Sequence, residues 1–335
     1  MKNSSKNPLK FSDFFNSWLN EHYYKQGIYI GKKGDFYTSV SVGSLFGICI
    51  AKKILSLKDK FDGKISIVEI GANEGYLLAD IVQGIYTFNS DALNDFEFCI
   101  IEPHEILRKK QLQTFKEKFG DEIEIRHFSI LDEAKFNEAI FISNELFDTF
   151  SCEVVDRDKM LFIDNFIPKF EKIDNKTKEL AKKYKITKGE IPINLDIFLK
   201  DIYNSCSKFS FITFDYGDIK AKGDFSLRVY KNHKVYNFFE IENLENFYGK
   251  SDITYDLNFG ILKNEFLKFK DVKFENYSSQ QKALLDFGAV DILDILLKKG
   301  GEIAYKNGAS QLKRLIYPEE LGTRFKMMEF SKGLK

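Results

Sequence analysis

Apolar positions first recur at helical spacing and then gather into short runs. Residues 11–24 put Phe11, Phe14, Phe15, Trp18 and Leu19 on one helical face. A polar, glycine-rich stretch follows, "GIYIGKKGDFYTSVSVG", in which Ser41 is placed to cap a helix through "SLFGICIAKKIL". Beyond it, apolar runs alternate with amphipathic stretches. Ile65–Ile70, Phe96–Glu102, Ile123–His127, Ala139–Ser143 and Phe209–Phe214 read as strands, and Gly75–Gln83 and His104–Phe119 as helices. This alternation predicts an α/β fold, a parallel sheet with helices on both faces.

About sixty residues separate the fourth and fifth strands, against the ~10–12 of an ordinary crossover. An insertion with strands and a helix of its own is expected there, at about 151–207. A second, helical insertion is expected at about 278–318, flanked by late strands in "DVKFENY" and "RFKMMEF". No repeat or linker divides the chain. The expected organisation is a helical cover and loop over 1–60, then one decorated α/β domain over 61–335.

Composition narrows the function classes. Lys+Arg and Asp+Glu both number 50, for a formal net charge of zero, so no global electrostatic attraction to nucleic acid is present. No apolar run approaches the ~20 residues of a membrane span. The four cysteines lie far apart among apolar neighbours, and the histidines form no H-x-x-x-H. Buried thiols in a reducing compartment are expected, without structural zinc. The N-terminus lacks the apolar core of a secretory signal. The location expected is cytoplasmic.

The stretch "SIVEIGANEGYLLAD" joins the first strand to the first helix through a glycine turn. Counted from Gly71, the dinucleotide pattern G-x-G-x-x-G fails at Asn73 and Tyr76. The pattern E-x-G-x-G-x-G of S-adenosylmethionine enzymes is met by Glu69, Gly71 and Gly75, with Asn73 as the departure. Asn enters left-handed backbone more readily than other side chains. Glu69 and Glu74 flank the turn; they would repel a pyrophosphate and suit an ammonium or a sulfonium. At the end of the second strand Glu102 can accept both ribose hydroxyls. Ser129 and Ile130, after the third, can frame an adenine. A turn without ligand and a solvated Glu102 are the plainer alternatives.

After the fourth strand come Asn144, Glu145 and Asp148 in "SNELFDTF". Glu145 and Asp148 are three apart, so on a helix they share a face and form an anionic pocket. Asn144 could equally cap that helix. Glu190, Asp215 and Tyr216 are weaker candidates for the acceptor side.

The blocks "GDFYTSVSVGSLFG", "VEIGANEGYLLADI", "SNELFDTF", "FITFDYG", "LRVYKNHKV", "GKSDITYDLNF" and "LGTRFKMMEFSKG", in this order, resemble the MidA-like methyltransferases over most of the chain. That family includes a mitochondrial complex I assembly factor with protein-arginine methyltransferase activity. The resemblance implies a seven-stranded methyltransferase sheet and S-adenosyl-L-methionine as cofactor. It also implies a loop bearing Asp35, Thr38 and Ser39 beside that cofactor. Asn73 in place of the middle glycine, and Val40 in place of a proline, depart from the pattern. The expected activity is methylation of an arginine on a protein substrate, a respiratory complex I subunit being the family's example. Glu145 and Asp148 would then grip the guanidinium. A small-molecule N- or O-methyltransferase and a non-catalytic assembly chaperone are the alternatives.

Overall fold

The computed structural model describes residues 8–26 and 38–335. Two compact units emerge, each taken over its described residues. One is built from 37–146, 197–217 and 263–335, the other from 1–36, 147–196 and 218–262.

The first unit carries the alternating pattern. Its strands are β1 (Ile65–Ile70), β2 (Phe96–Ile101), β3 (Ile125–Phe128), β4 (Phe136–Asn144), β5 (Cys206–Asp218), β6 (Val272–Ser279) and β7 (Phe325–Lys332). They follow one path, β6-β7-β5-β4-β1-β2-β3. From β5 to β3 the pairing is parallel, as in Ile65↔Phe96 and Ala139↔Phe209. β7 runs antiparallel to both β5 and β6. All six residues of β1 are buried, which is why the run is continuously apolar except at Ser66 and Glu69. Between β1 and β4 the strand order reverses direction. Ligands of open α/β sheets bind outside the carboxyl ends of strands at such a point.

The helices are α1 (Leu45–Leu57), α2 (Tyr76–Phe88), α3 (Glu105–Phe119), α4 (Gln280–Asp286) and α5 (Ala289–Ile316), the last interrupted at Gly301. α1 and α2 cross at reciprocal glycines. A Cβ at Gly47 would lie 2.6 Å from Asp80 Cβ, and one at Gly84 2.6 Å from Ala51 Cβ. Bare backbone at both points lets the helices approach closely, and overpacking there would cost roughly 1–3 kcal/mol.

Ser41 does not cap α1. Its hydroxyl and amide close a capping box with Thr38 on a short turn of helix, Ser39–Val42. The first amide of α1, that of Leu45, instead donates to Gln311 Oε1 of α5 at 3.0 Å. A local capping rule was outcompeted by a partner 266 residues away.

The second unit is antiparallel. Leu9–Lys10, Lys159–Asp164, Cys152–Asp156 and Lys188–Pro192 pair in that order, with Ile167–Lys172 also on Lys159–Asp164. A separate three-stranded sheet joins Lys234–Asn237, Arg228–Lys231 and Asp252–Thr254. The face predicted for 11–24 is buried here. Phe11, Phe14 and Phe15 lie on an α-helix (Phe11–Asn16), and Trp18 and Leu19 on a π-helical continuation, Ser17–Tyr23. Trp18 Nε1 donates to Ser251 O at 2.6 Å, so the indole packs without an unmatched donor.

Candidate functional site at the carboxyl ends of the strands

β1 ends in Ile70, and the chain turns through three left-handed residues. Gly71 has φ 74, Asn73 φ 46 and Gly75 φ 82. Asn73 therefore adopts the conformation the missing glycine would supply. The turn is closed by Gly75 N donating to Ala72 O (2.7 Å) and tied to β2 by Gly71 N donating to Ile101 O (3.1 Å).

The charges flanking the turn differ from expectation. Glu69 is fully enclosed, and its carboxylate accepts from Leu78 N (3.0 Å), one of the amides that a helix start leaves without a partner. Burial, against that hydrogen bond, pushes its pKa up to about 8, with Asp80 and Glu102 adding to the rise. Glu74 is ion-paired with Lys110 of α3 at 3.0 Å. One carboxylate is thus an internal tie for α2 and the other has its charge matched. The repulsion of a pyrophosphate, expected from two acidic neighbours, is not how this turn discriminates.

Glu102, immediately after β2, is 3% exposed. It accepts from His104 N (2.9 Å). Burial pushes its pKa up to about 7, opposed by the His104 amide, Arg108 and the Gln111 side chain. Its own amide donates to Phe128 O (3.0 Å), which sets the end of β3 alongside. Ser129 is exposed there, and Ile130 is 51% exposed, an apolar side chain left in solvent at the sheet end.

At the end of β4, Asn144 Nδ2 donates to Glu145 Oε1 (2.8 Å), and Tyr216 Oη of β5 donates to Glu145 Oε2 (2.9 Å). Glu145 N donates to Phe214 O (2.9 Å). Tyr216 is itself held by Phe325 of β7, ring centroids 4.0 Å apart, and by Asp215, whose carboxylate accepts Tyr216 N at 2.8 Å. The side-chain oxygens of Asn73 and Asn144 are both buried and have no hydrogen-bond partner among the described residues.

Other expectations are corrected. Glu145 has φ 53 and is not helical, whereas Asp148 sits on a single 3₁₀ turn, Phe147–Thr149, so the two share no helical face. They also belong to different units; Asp148 is 1% exposed, and its carbonyl accepts from Tyr255 N at 3.2 Å. The buried Ser39 hydroxyl donates to Gln280 of α4 (2.9 Å), and the Thr38 hydroxyl serves the capping box, so both side chains are engaged internally. Asp35 lies outside the described residues. The cysteines are free and buried, with burial pushing Cys49 up to about 12 and Cys99 and Cys206 up to about 11. Thiols so held are not nucleophiles.

Sequence reasoning missed Gln111 and His127. Gln111 lies on the buried stripe of α3 with Leu107, Thr114 and Phe115. A glutamine at an apolar position of an amphipathic helix was the available signal.

Comparison with known proteins agrees with this layout. A curated Drosophila melanogaster protein, "Protein arginine methyltransferase NDUFAF7 homolog, mitochondrial", is 21% identical over 358 residues, covering 93% of this chain and 78% of its own. The crystal structure of a Burkholderia thailandensis protein bound to S-adenosyl-homocysteine superposes with a TM-score of 0.81 at 20% identity, over 98% of this chain and 89% of that one. A native structure from the same organism gives 0.77 at 19%, over 98% and 88%. At these identities the structural likeness is one of fold. S-adenosylmethionine offers hydroxyls, an ammonium and a flat base. The strand ends described above present a buried carboxylate, two unmatched buried oxygens and an exposed apolar side chain, which suit those groups. A family model for S-adenosyl-L-methionine-dependent methyltransferases matches residues 45–277, most of the 335-residue chain, and the protein belongs to that family.

Proposed function

We propose that the protein methylates an arginine side chain of a protein substrate, and that Glu145 grips the acceptor. The observation that carries this reading is the carboxylate of Glu145, fixed from both sides by Asn144 and Tyr216 at the end of β4. The name of the Drosophila relative, a protein arginine methyltransferase homolog, supports an arginine acceptor. A respiratory complex I subunit, implied by the MidA-like resemblance, is the first protein to test. The cytoplasm remains the proposed location, although the relative's name is mitochondrial.

S-adenosylmethionine supplies a methyl group already made electrophilic by its sulfonium. The protein's task is to bind and orient. Glu102 is the proposed acceptor for the ribose hydroxyls, and Ile130 with Ser129 the proposed frame for the base. The backbone of Gly71, Asn73 and Gly75 is proposed to line the path of the amino-acid part, with the side-chain oxygen of Asn144 as an acceptor for its ammonium. Arginine is a poor nucleophile because it stays protonated and its charge is delocalised. A carboxylate that accepts two guanidinium N–H groups orients the third nitrogen in line and draws positive charge away from it. Each carboxylate oxygen can accept more than one hydrogen bond, so Asn144 and Tyr216 can hold Glu145 while it binds the acceptor. Glu145 is also the group proposed to receive the proton the acceptor nitrogen gives up.

The test is transfer of labelled methyl groups from S-adenosylmethionine into a cell lysate. Label on arginine of a discrete protein band is expected. Label recovered only in small molecules would overturn the protein-acceptor reading. Glu145→Gln is expected to keep S-adenosyl-homocysteine affinity and lose transfer by about 10- to 150-fold, the value of a charged hydrogen bond. Wild-type transfer in that variant would remove Glu145 from the acceptor site. Unlabelled protein partners that still bind would point to chaperoning instead.

A further inference from the structure

We infer that Arg324 is a methylation site for the protein's own activity, an inference that rests on the proposed arginine reading of Glu145. Its guanidinium stands on the aromatic wall of that acceptor site.

The arginines are few, and their partners set one apart. Six of the 50 basic side chains are arginines. Arg108 donates to Glu102 O at 2.7 Å, and Arg126, Arg157, Arg228 and Arg314 each form an ion pair with a carboxylate. Arg324 is exposed and, among the described residues, makes no hydrogen bond and no ion pair. The whole fork of N–H donors is therefore open to a carboxylate.

The contact that Arg324 does make is with the site. Its guanidinium carbon lies 5.3 Å from the centroid of the Tyr216 ring, within the range of a cation–π interaction. Tyr216 Oη donates to Glu145 Oε2 at 2.9 Å. One ring and one hydrogen bond thus separate the guanidinium from the carboxylate proposed to grip the acceptor. Strand register explains the meeting. Tyr216 of β5 pairs with Phe325 of antiparallel β7, and Phe214 of β5 pairs with Asn144 of parallel β4. Arg324, entering β7, is brought to the carboxyl ends of β4 and β5, where the candidate site is.

The main chain around Arg324 is anchored while its side chain is free. Gly322 N donates to Tyr317 O (2.9 Å), Gln281 N to Gly322 O (3.0 Å) and Phe325 N to Leu321 O (3.1 Å). A Cβ at Gly322 would stand 2.1 Å from Ile316 O, so the turn closes against the end of α5 and no side chain fits there. Side-chain rotation is then the movement that takes the guanidinium from the ring to Glu145. It gives up a weak, exposed cation–π contact and gains two charge-assisted hydrogen bonds, the stronger interaction.

The step balances with S-adenosylmethionine as methyl donor. A terminal nitrogen of Arg324 attacks the methyl carbon. The N–C bond forms as the S–C bond breaks, and that electron pair stays on sulfur, leaving S-adenosyl-homocysteine. The nitrogen gives up one proton to Glu145 and from there to solvent. The methylated guanidinium keeps its charge, and with it the attraction to the Tyr216 ring, but loses an N–H donor for bidentate pairing.

The test is a peptide map by mass spectrometry. The protein as isolated from cells should carry methyl on a fraction of Arg324. Incubation of the purified protein with labelled S-adenosylmethionine, and no other protein, should place label on the same residue. The labelled fraction at a fixed time should not change on dilution, because site and acceptor share one chain. A fraction falling in proportion to dilution would put the acceptor in another copy and overturn the inference. Arg324→Lys keeps a cation beside the ring and removes the guanidinium. It should abolish self-labelling and leave S-adenosyl-homocysteine affinity and labelling of lysate arginine at wild-type values; self-labelling that persists in this variant overturns the inference. Glu145→Gln should lower labelling of Arg324 and of lysate arginine alike, about 10- to 150-fold. Labelled lysate arginine with an unlabelled Arg324 would overturn the inference and leave the arginine reading standing. Label on no arginine of either would sink both.

Discussion

Two buried glutamates, one in each unit, make opposite use of similar surroundings. Glu102 is 3% exposed and Glu190 is 9% exposed, and burial raises the pKa of both. Glu190 is ringed by donors from one neighbouring segment: Ser226 N (2.7 Å), Ser226 Oγ (2.9 Å) and Leu227 N (3.2 Å). Ser226 Oγ in turn accepts Asp256 N, so the cluster is closed upon itself. Around Glu102 the backbone is left-handed at three nearby residues, and a buried oxygen of Asn73 has no partner among the described residues. A raised pKa therefore marks burial in both places and function in neither. Position sets the two apart: Glu102 follows the end of a parallel strand in an open α/β sheet, where ligands bind, and Glu190 lies within an antiparallel strand. Glu190, a candidate on sequence grounds, is a structural staple.

Four perturbations break or sharpen that contrast. The largest effect is expected from Glu190→Ala, which leaves three donors without their acceptor, two on half-buried Ser226 and one on buried Leu227. A loss of about 3 kcal/mol or more in unfolding free energy is expected, read from the denaturant midpoint, with S-adenosyl-homocysteine affinity unchanged in the folded protein. A ligand-binding defect without a stability defect would reverse the assignment. Glu102→Ala comes next, with affinity falling about 10- to 150-fold, or ~1.5–3 kcal/mol, and little change in melting temperature.

Glu69 adds a pH test between these extremes. Its folded pKa of about 8 exceeds the ordinary carboxyl value of 4.5, so the folded state holds a proton that the unfolded chain releases. Its contribution to stability is fully present below about pH 4.5 and is lost as pH rises through about 8. Glu69→Gln keeps an acceptor for Leu78 N and removes this titration. Relative to wild type it should gain stability as pH rises from about 4.5 to about 8 and hold that gain above, and parallel pH–stability curves would contradict the burial argument. The smallest effect is expected from Asn73→Gly. Since Asn73 already holds the left-handed conformation, stability and affinity should change by no more than about 1 kcal/mol. A larger affinity loss would show that the amide oxygen itself binds ligand.

Much of the fold was legible because burial on both sheet faces forces continuous apolar runs. Ile65–Ile70 lies where the pattern put it, and Phe96–Ile101 and Glu105–Phe119 are displaced by one residue at an end. Glu102 was legible as the acidic residue where the second run stops. The conflicting cases share one cause. Spacing of three between Glu145 and Asp148 has meaning only on a helix, and the chain leaves β4 left-handed at Glu145 instead. Ser39 looked available until Gln280, 241 residues on, took its hydroxyl.

By itself, then, the sequence determined the order of strands and helices, the glycine turn and the residue types at the strand ends, since periodicity and backbone freedom act within a few residues. The tertiary structure alone decided which polar atom meets which. Glu145 finds Tyr216 across 71 residues, Gln111 finds Asn73 across 38, and Lys110 answers Glu74 across 36. Hydrogen bonds act over about 3 Å, so only the folded chain, which brings such distant residues to that range, can assign them.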